Sequence, residues 1–438
     1  MNILNKIKEK GLVRNFSVLV ICNLGVHLAN LLINMILARM LGPNDFGMYG
    51  IIITWATIIQ TIASLGIQQV TIRHIAKEQQ KSYYYFKISL ISRVVGFLCT
   101  ISLFSIYSYI STGYSFLFIL FAIMYSISLF MWDSIQNVAF GLQRMESTGY
   151  INVAGSFMLL LIYVCIPTKY FNIGLIICTL IVVQTVKDII YYFSCAKDGF
   201  FMKDNNKAEI HDCCKIIKES LPFYIISLFS LFTTQFPVLF LSLHTNNIEV
   251  AYFNTANKLM IPLTMILQTL MTAIYPKFVN DFSTDLNKFH IGANKLLRLM
   301  ITLSIFFCLI ISCFRNEIVL TIYGKDYKNT GDIMLTQSWY VVYFSILSYY
   351  GTLLASIGKD KALASLSIIN SLFSGIILWF TSYYGSATMS LGFIFCGVIN
   401  LASNSAYLYY SRCQIFSNKT LLCTNGVLLL STFLSILV

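Results

Sequence analysis

Charged side chains are scarce in this 438-residue sequence, in which Asp, Glu, Lys and Arg together make up 11% and hydrophobic residues 57%. One water-soluble core cannot bury so much apolar surface, so lipid must be the solvent for most of it. The composition therefore predicts an all-α polytopic membrane protein.

Catalytic motifs are also missing. The sequence has no GxxxxGK phosphate loop, HExxH or GxSxG, and its five His residues are scattered. The missing phosphate loop excludes a transporter driven by its own ATP hydrolysis, and the other absences give no support to a zinc or serine hydrolase. The external loops also lack the acidic cluster expected of a glycosyltransferase or polymerase. We therefore expect a transporter that is not an enzyme and that uses no cofactor.

The cysteines lack the spacing of a metal site. The sequence has 12 Cys, mostly inside apolar runs and without CxxC or His-rich patterns. We expect no structural metal and no disulfide framework, because such Cys residues usually serve as small buried apolar side chains.

Apolar runs of helical length fill the chain. A membrane span needs about 20 apolar residues to cross about 30 Å of hydrocarbon. Twelve runs meet this requirement, and Leu421 to Val438 form an uncertain thirteenth. The predicted spans cover residues 15–38, 46–69, 84–107, 115–140, 149–166, 172–193, 220–243, 250–275, 292–313, 332–357, 362–383 and 389–410.

Positive charge is concentrated in every second connection between these spans. Lys and Arg are retained on the cytoplasmic side, so this distribution places the N-terminus in the cytoplasm. The net charge of +12 is then a signal of topology and does not indicate nucleic acid as a partner. The exceptions are Arg39, Lys169, Lys258, Arg315, Lys325 and Lys328. The first apolar run is too long for a cleavable signal peptide and is expected to be retained.

The longest cytoplasmic connection divides the spans six and six. Because six is even, both halves start on the same side, as in repeats related by an axis along the membrane normal. We therefore expect two six-helix bundles with pseudo-two-fold symmetry. The predicted parts are a first bundle at 1–195, a cytoplasmic linker at 196–218, a second bundle at 219–411, and a cytoplasmic segment with an uncertain apolar helix at 412–438.

Polar residues inside the first span form a stripe. Asn23, His27, Asn30 and Asn34 recur at intervals of four, three and four, which places them on one helix face. Such a stripe cannot face lipid, because unpartnered polar groups are costly there. It lines either a contact with another helix, held by amide hydrogen bonds, or a water-filled cavity.

A second polar group lies in the eighth span. Asn254, Asn257 and Lys258 precede Pro262, a predicted kink or break, and Gln268 follows it. An ammonium at this depth needs a carboxylate, carbonyls, water or an anionic ligand. The alternative is that Lys258 extends to the outer interface, which its long side chain allows.

The fourth span carries Asp133, which shares a helix face with Asn137. A carboxylate in a low dielectric favours its protonated form, so Asp133 is a candidate for ion coupling during transport. It is equally a candidate structural partner for Arg93 or Lys258. Asp188 lies nearer the cytoplasmic surface and is interpreted as interfacial.

The segment from Ala38 to Gly50, ARMLGPNDFGMYG, resembles the AR-x-LGP-x-x-FG-x-Y signature of polysaccharide flippases in the multidrug/oligosaccharidyl-lipid/polysaccharide exporter superfamily. Gly42 and Pro43 suit a turn between two spans. Further resemblances follow in the family's order at Leu65-Gly66-Ile67 with Arg73, Gly141 to Glu146, Tyr252 to Leu259, Tyr275-Pro276, and Tyr323 to Tyr327. Tyr323 stands where the family usually has Phe, and Gln143 where Glu is common.

The resemblance implies a V-shaped two-bundle transporter with a central cavity that works by alternating access. Its substrate would be an O-antigen or capsule repeat unit on undecaprenyl diphosphate, moved from the cytoplasmic to the periplasmic leaflet of the bacterial inner membrane. Membrane lipid, H⁺ or Na⁺ as the coupling ion, and glycan polymerase or chain-length proteins are the partners expected with it.

Each polar group can be given a role in that task. The first-span stripe would hydrogen-bond the sugars, and Lys258, Arg39 or Arg93 would offset the diphosphate charge. The candidate cavity residues are Asn23, His27, Asn30, Asn34, Arg39, Arg93, Asn254, Asn257, Lys258 and Gln268. An ion-coupled multidrug exporter is the main alternative, and it predicts a carboxylate-lined cavity. A membrane glycan polymerase or ligase would need convergent catalytic residues on the outer face.

Overall fold

The computed structural model describes residues 2–111, 115–197, 199–200 and 210–410. Within these ranges the regular secondary structure is helical, with short 3₁₀ turns between α-helices. The described α-helices are α1 (Asn2–Ala63), α2 (Ile67–Lys77), α3 (Ser82–Ser111), α4 (Phe116–Gly141), α5 (Glu146–Cys165), α6 (Ile173–Lys197), α7 (Ile210–Thr234), α8 (Phe236–His244), α9 (Asn247–Thr284), α10 (Leu286–Ile322), α11 (Thr330–Ser356), α12 (Asp360–Ser382) and α13 (Ser386–Tyr410).

The helices match the twelve predicted spans. In the described part of the chain, ten helical stretches are long and apolar enough to cross a membrane, and the first, Ile21–Ala63, contains two predicted spans. Helix α11 corresponds to a further predicted span but is less apolar than the ten. The twelve-helix architecture is therefore confirmed, and the possible span from Leu421 to Val438 lies outside the described residues.

Helix α1 bends where the sequence predicts a turn. Gly42 interrupts its helical geometry with φ 74° and ψ 172°, and Pro43 follows. Glycine adopts this positive φ without steric cost. The second predicted span is shorter than expected and ends at Ala63, because Leu65 (φ 50°) and Gly66 (φ 63°) turn the chain into α2.

Contacts divide the chain into two compact units, Met1–Leu231 and Phe232–Val438. We call these unit 1 and unit 2. The division falls later than the predicted linker at 196–218, because α7 already begins at Ile210 and its residues as far as Leu231 group with unit 1.

Close contacts explain why this part of α7 belongs to unit 1. A Cβ built on Gly66 would lie 2.4 Å from the backbone nitrogen of Tyr224, so only glycine permits the approach. His74 Nε2 donates a hydrogen bond to Glu219 Oε2 at 2.8 Å. The apolar part of the contact is formed by Ile67, Val70, Ile88 and Ile216.

Helix α11 lies at the centre of unit 2, where it packs against α9, α10 and α13. Its buried side chains include Tyr343, Tyr349 and Tyr350, and the Tyr349 hydroxyl donates to the carbonyl of Ala293 at 2.9 Å. Protein therefore takes the place of lipid around most of this helix. That environment explains why α11 tolerates more polar residues than a lipid-facing span.

Many large apolar side chains are exposed on both units, among them Leu28, Leu103, Phe193, Phe306 and Phe380. A water-soluble protein rarely leaves so much apolar surface open. Together with the long apolar helices, this surface identifies a multi-pass membrane protein.

Candidate functional site

The polar stripe of α1 lies at the surface of unit 1 rather than in its packed core. Asn23, His27 and Asn34 are half-buried and Asn30 is exposed, as is Arg39 further along the helix. The face of α1 that packs into unit 1 instead carries Cys22, Val26, Ala29, Ile33 and Leu37. The stripe therefore presents amide and imidazole groups outward from an otherwise apolar helix.

A buried polar cluster joins α1, α3 and α4 inside unit 1. Gln60 Nε2 donates a hydrogen bond to the Asp133 carboxylate. Arg93, whose residue is only 1% exposed, donates from a guanidinium nitrogen to Ser134 Oγ at 3.1 Å and lies 6.0 Å from the ring centre of Phe130. A charged group so deep in the protein requires compensation by opposite charge and hydrogen bonds.

Asp133 supplies that opposite charge, because it interacts electrostatically with Arg93. Of the two partners proposed for Asp133, Arg93 is therefore the one that interacts with it, at a separation longer than the 4 Å of a direct salt bridge. The guanidinium points into the interior of unit 1 and not to its surface, where a diphosphate would meet it. Asn137, predicted to share the face of Asp133, is 0% exposed, and neither amide atom has a hydrogen-bond partner among the described residues.

A second buried cluster, which the sequence did not reveal as a site, lies between α4, α5 and α6. Lys187 Nζ donates to Asn152 Oδ1 at 2.9 Å and to Gln184 Oε1 at 3.0 Å, and it lies 4.7 Å from the ring centre of Trp132. Gly155 makes room for the lysine stem, since a Cβ there would lie 2.1 Å from Lys187 Cδ.

Asp188 belongs to the same cluster and is packed inside the protein. It is 5% exposed and accepts a hydrogen bond from Gln184 Nε2 at 3.1 Å. It also lines an otherwise mostly apolar cavity of about 370 Å³ between α4 and α6. The available signal was the spacing of Gln184, Lys187 and Asp188, which places all three on one face of α6.

The polar residues of α9 are divided between two environments in unit 2. Asn254 is buried, Lys258 is half-buried, and Asn257 and Gln268 are exposed. The helix continues through Pro262 without the predicted break. Gln268 lies in an open groove of about 460 Å³ formed by α9 and α11.

Asn257 lines a different cavity, of about 320 Å³, which we call the unit 2 cavity. Its walls come from the end of α7 and from α8, α9, α11 and α13. The polar side chains in its wall are Thr233, Thr234, Asn257, Thr264, Gln337 and Tyr340, and the larger apolar ones include Phe253, Phe344 and Phe393. None of the described residues that line it is charged.

The break between α7 and α8 shapes one side of this cavity. Gln235 separates the helices, with φ −112°, and Pro237 follows in the first turn of α8. Proline has no amide hydrogen, so it cannot donate to the carbonyl four residues earlier, that of Thr233. The cavity wall therefore contains a helix end as well as side chains.

The described residues contain no candidate metal-binding cluster. Within the described ranges, no group of three or more His, Cys, Asp or Glu side chains could hold a metal ion.

Solved structures of transporters share this fold. Lipid II flippase MurJ in an inward closed conformation matches with a TM-score of 0.73 and 16% identity, covering 95% of this chain and 92% of that one. An inward-facing multidrug resistance MATE family transporter of the MOP superfamily matches with a TM-score of 0.70 and 14% identity, covering 90% and 98%.

A MOP superfamily transporter from Pyrococcus furiosus, described as having a binding pocket of reverse polarity, also matches. The TM-score is 0.57 at 14% identity, with 93% of this chain and 95% of that chain covered. These likenesses establish the two-bundle fold of the superfamily. No curated protein matches the chain in sequence.

The model of the family described as "Polysaccharide biosynthesis protein" matches residues 12–280. The match begins before the α1 stripe, includes all of unit 1 from there on, and extends through nearly all of α9. It covers more than half of the sequence. The chain therefore belongs to the polysaccharide biosynthesis protein family.

Proposed function

We propose that the protein is a flippase for a lipid-linked oligosaccharide. The cargo is an O-antigen or capsule repeat unit on undecaprenyl diphosphate, and it crosses from the cytoplasmic to the periplasmic leaflet of a bacterial inner membrane. Alternating access exposes the binding groups to each side in turn, and the N-terminus is cytoplasmic.

The observation that carries this proposal is the outward-facing stripe of α1. Asn23, His27, Asn30 and Asn34 lie beside the packed face of the helix at the surface of unit 1. Amide and imidazole groups donate and accept hydrogen bonds, as sugar hydroxyls require. A helix in lipid would not keep such a face unless a polar partner regularly met it.

The diphosphate needs compensating positive charge as it crosses the membrane. Lys258 lies half-buried in α9 next to Asn257. Arg39 is exposed in the part of α1 before Gly42, which also carries the stripe. Both side chains can place a cation against an anionic oxygen, and Arg39 can do so in a bidentate manner. The isoprenoid tail stays in lipid.

Export of an intact glycan tests this role. We expect Lys258→Gln to reduce surface glycan by about tenfold, since one charge-assisted hydrogen bond is worth about 1.5–3 kcal/mol. Lys361→Gln, at an exposed position at the start of α12, is the matched control and should export normally. Normal export by Lys258→Gln at equal membrane abundance would remove Lys258 from the proposal.

Cysteine accessibility tests the stripe directly. His27→Cys and Asn30→Cys, made in a variant lacking the other accessible Cys residues, should react with a small polar thiol reagent in at least one transport state. Ala29→Cys, on the buried face of α1, should not react. Protection of all three positions in every state would make the stripe a helix contact.

Transport against a gradient also needs an energy source. We propose H⁺ or Na⁺ coupling through Asp133, which can exchange its hydrogen bond from Gln60 for a bound cation while it interacts electrostatically with Arg93. Asp133→Asn should then abolish the dependence of glycan flipping on the ion gradient in proteoliposomes while leaving downhill flipping measurable. Unchanged gradient dependence would exclude Asp133 as the coupling group.

One observation favours an exporter of small cations as a second candidate. The cavity of about 370 Å³ in unit 1 is mostly apolar and has Asp188 in its wall, a combination suited to a lipophilic cation. The neighbouring Lys187 ammonium opposes such binding. Efflux of tetraphenylphosphonium that is lost in Asp188→Asn would support this candidate over the flippase.

A further inference from the structure

We propose that the unit 2 cavity binds one uncharged sugar ring of the transported glycan. This inference rests on the proposed flippase function and assigns part of the substrate to a place in the fold. The cavity lies wholly within unit 2, between α7, α8, α9, α11 and α13.

Aromatic rings form the apolar walls. Phe253 and Phe393 stack with ring centres 5.9 Å apart and an interplanar angle of 25°, and Tyr340 meets Phe393 edge-on at 5.3 Å. Phe344 also lines the cavity. The C–H faces of a pyranose are apolar and pack on such rings, while its rim of hydroxyls needs polar partners.

Gln337 supplies the most specific polar partner. Its Nε2 donates to Ser390 Oγ at 3.3 Å, which fixes the orientation of the amide. The residue is 6% exposed, and its Oε1 has no hydrogen-bond partner among the described residues. Oε1 itself has almost no accessible surface, so a donor such as a sugar hydroxyl or an acetamido N–H meets it after a small shift of the cavity wall and satisfies a group that is otherwise buried at a cost.

Further hydrogen-bonding groups surround the same space. Asn257 and Thr264 are seven residues apart on α9 and therefore lie on one face of the helix, two turns apart. Thr233 and Thr234 end α7 beside the helix break. A ligand with hydroxyls around its rim can thus meet polar groups on two sides while its faces contact the aromatic rings.

Size and charge restrict the ligand further. Ligand pockets typically measure about 300–1,000 Å³, so a cavity of about 320 Å³ suits one ring and is too small for a whole repeat unit. No described lining residue is charged, so a diphosphate, a uronic acid or a cation would lose its hydration without compensation. An isoprenoid would leave the Oε1 atom of Gln337 without a partner.

Saturation-transfer NMR on the full-length protein in detergent tests the assignment, with N-acetylglucosamine, glucuronic acid and tetraphenylphosphonium as probes. We expect the neutral sugar to bind and the two charged probes not to compete with it. Gln337→Leu should weaken binding of the neutral sugar at least tenfold. Thr264→Trp, which fills the cavity from α9, should abolish it.

Gln268→Leu is the matched control, because it removes an amide from the same unit but in the separate α9–α11 groove. It should bind the neutral sugar like the wild type. Equal binding by wild type, Gln337→Leu and Thr264→Trp would overturn the assignment, as would failure of the wild type to bind the neutral sugar or competition by tetraphenylphosphonium.

Different results would disprove the flippase function and the assignment of the unit 2 cavity. If cells lacking the protein export glycan normally while the purified protein binds the neutral sugar through Gln337, the flippase function is wrong and the cavity assignment stands. If deletion abolishes export but both cavity variants bind the sugar like the wild type, the cavity assignment alone is wrong.

Discussion

The two units bury different kinds of polar group. Unit 1 buries the charged residues Arg93 and Asp188, and Asp133 and Lys187 interact with them electrostatically. In unit 2, the buried polar side chains among the described residues are all uncharged, being Ser, Thr, Asn and Gln.

The neutral groups of unit 2 largely satisfy themselves. Ser338 Oγ donates to the carbonyl of Leu335 at 2.6 Å, and Ser345 Oγ donates to that of Val342 at 2.7 Å. Such bonds within one helix need no partner on a neighbour and let helices pack closely. Gln337 departs from this pattern because its bond reaches α13, and its Oε1 is buried without a partner, as are the hydroxyls of Ser374 and Ser405.

The difference separates two physical tasks. Buried ions in a low dielectric respond strongly to any change in charge, as ion coupling requires. Buried neutral groups respond to the shape and hydrogen-bonding pattern of a ligand. We therefore assign the proposed coupling to unit 1 and the proposed recognition of a sugar ring to unit 2.

Loss of the Arg93 charge should have the largest effect on unit 1. Arg93→Met removes the buried cation that interacts electrostatically with Asp133, and the upper limit of the effect is the cost of about 3–5 kcal/mol for breaking a direct buried pair. We expect a corresponding fall in the free energy of unfolding, measured by steric trapping in bicelles.

The double variant Arg93→Met/Asp133→Leu separates charge from packing. Removing both partners should recover most of the lost stability, because no uncompensated charge remains. Equal destabilisation of the single and double variants would mean that the Arg93 side chain acts mainly by filling space over Phe130.

Replacement of Lys187 by Met should be the next largest change. It removes the two charge-assisted hydrogen bonds to Asn152 and Gln184 and the cation beside Trp132. We expect a loss of about 2–3 kcal/mol by the same measurement. Lys288→Met, at an exposed position in the first turn of α10, should change stability by less than about 0.5 kcal/mol. Similar losses of stability in the two variants would show that burial does not determine how much a cation stabilises the protein.

The sequence was sufficient to predict the membrane helices. Long apolar runs and the Gly42-Pro43 turn gave twelve helices, and the polar stripe of α1 follows from helical periodicity alone. The motifs that carry the family resemblance lie at turns and packed helix ends: Gln143 has φ 59°, and Tyr323 and Tyr327 are buried. They reveal the family better than they reveal a binding site.

The deeper sites could not be predicted because they depend on contacts between distant helices. The burial of Lys187 depends on Gly155, a residue of another helix that leaves room for the lysine side chain. The unit 2 cavity combines Thr233, Asn257, Gln337 and Phe393 from four helices. No spacing within one helix contains that information, and the boundary within α7 likewise depends on the contact between Gly66 and Tyr224.

Gln337→Leu should weaken binding of the neutral sugar more than it lowers the free energy of unfolding, unlike the substitutions in unit 1. The substitution loses the 3.3 Å bond to Ser390 but also removes a buried acceptor that has no partner. These changes oppose each other, so we expect the free energy of unfolding to shift by no more than about 1 kcal/mol. A loss as large as that of Arg93→Met would show that unit 2 depends on its buried polar groups as strongly as unit 1.

Glu219→Gln is expected to have the smallest effect on the free energy of unfolding. It tests whether a charge in unit 1 stabilises the protein because it is buried or simply because it lies in that unit. Glu219 contacts His74 at 2.8 Å and Arg73 at 3.6 Å, but the side chains of Glu219 and Arg73 are 30% and 51% exposed. Water and salt screen such pairs, so we expect a loss of about 0.5 kcal/mol or less that shrinks further at high ionic strength. A salt-independent loss approaching that of Lys187→Met would mean that α7 is held to unit 1 by this ion cluster rather than by the Ile216 contact and the close approach at Gly66.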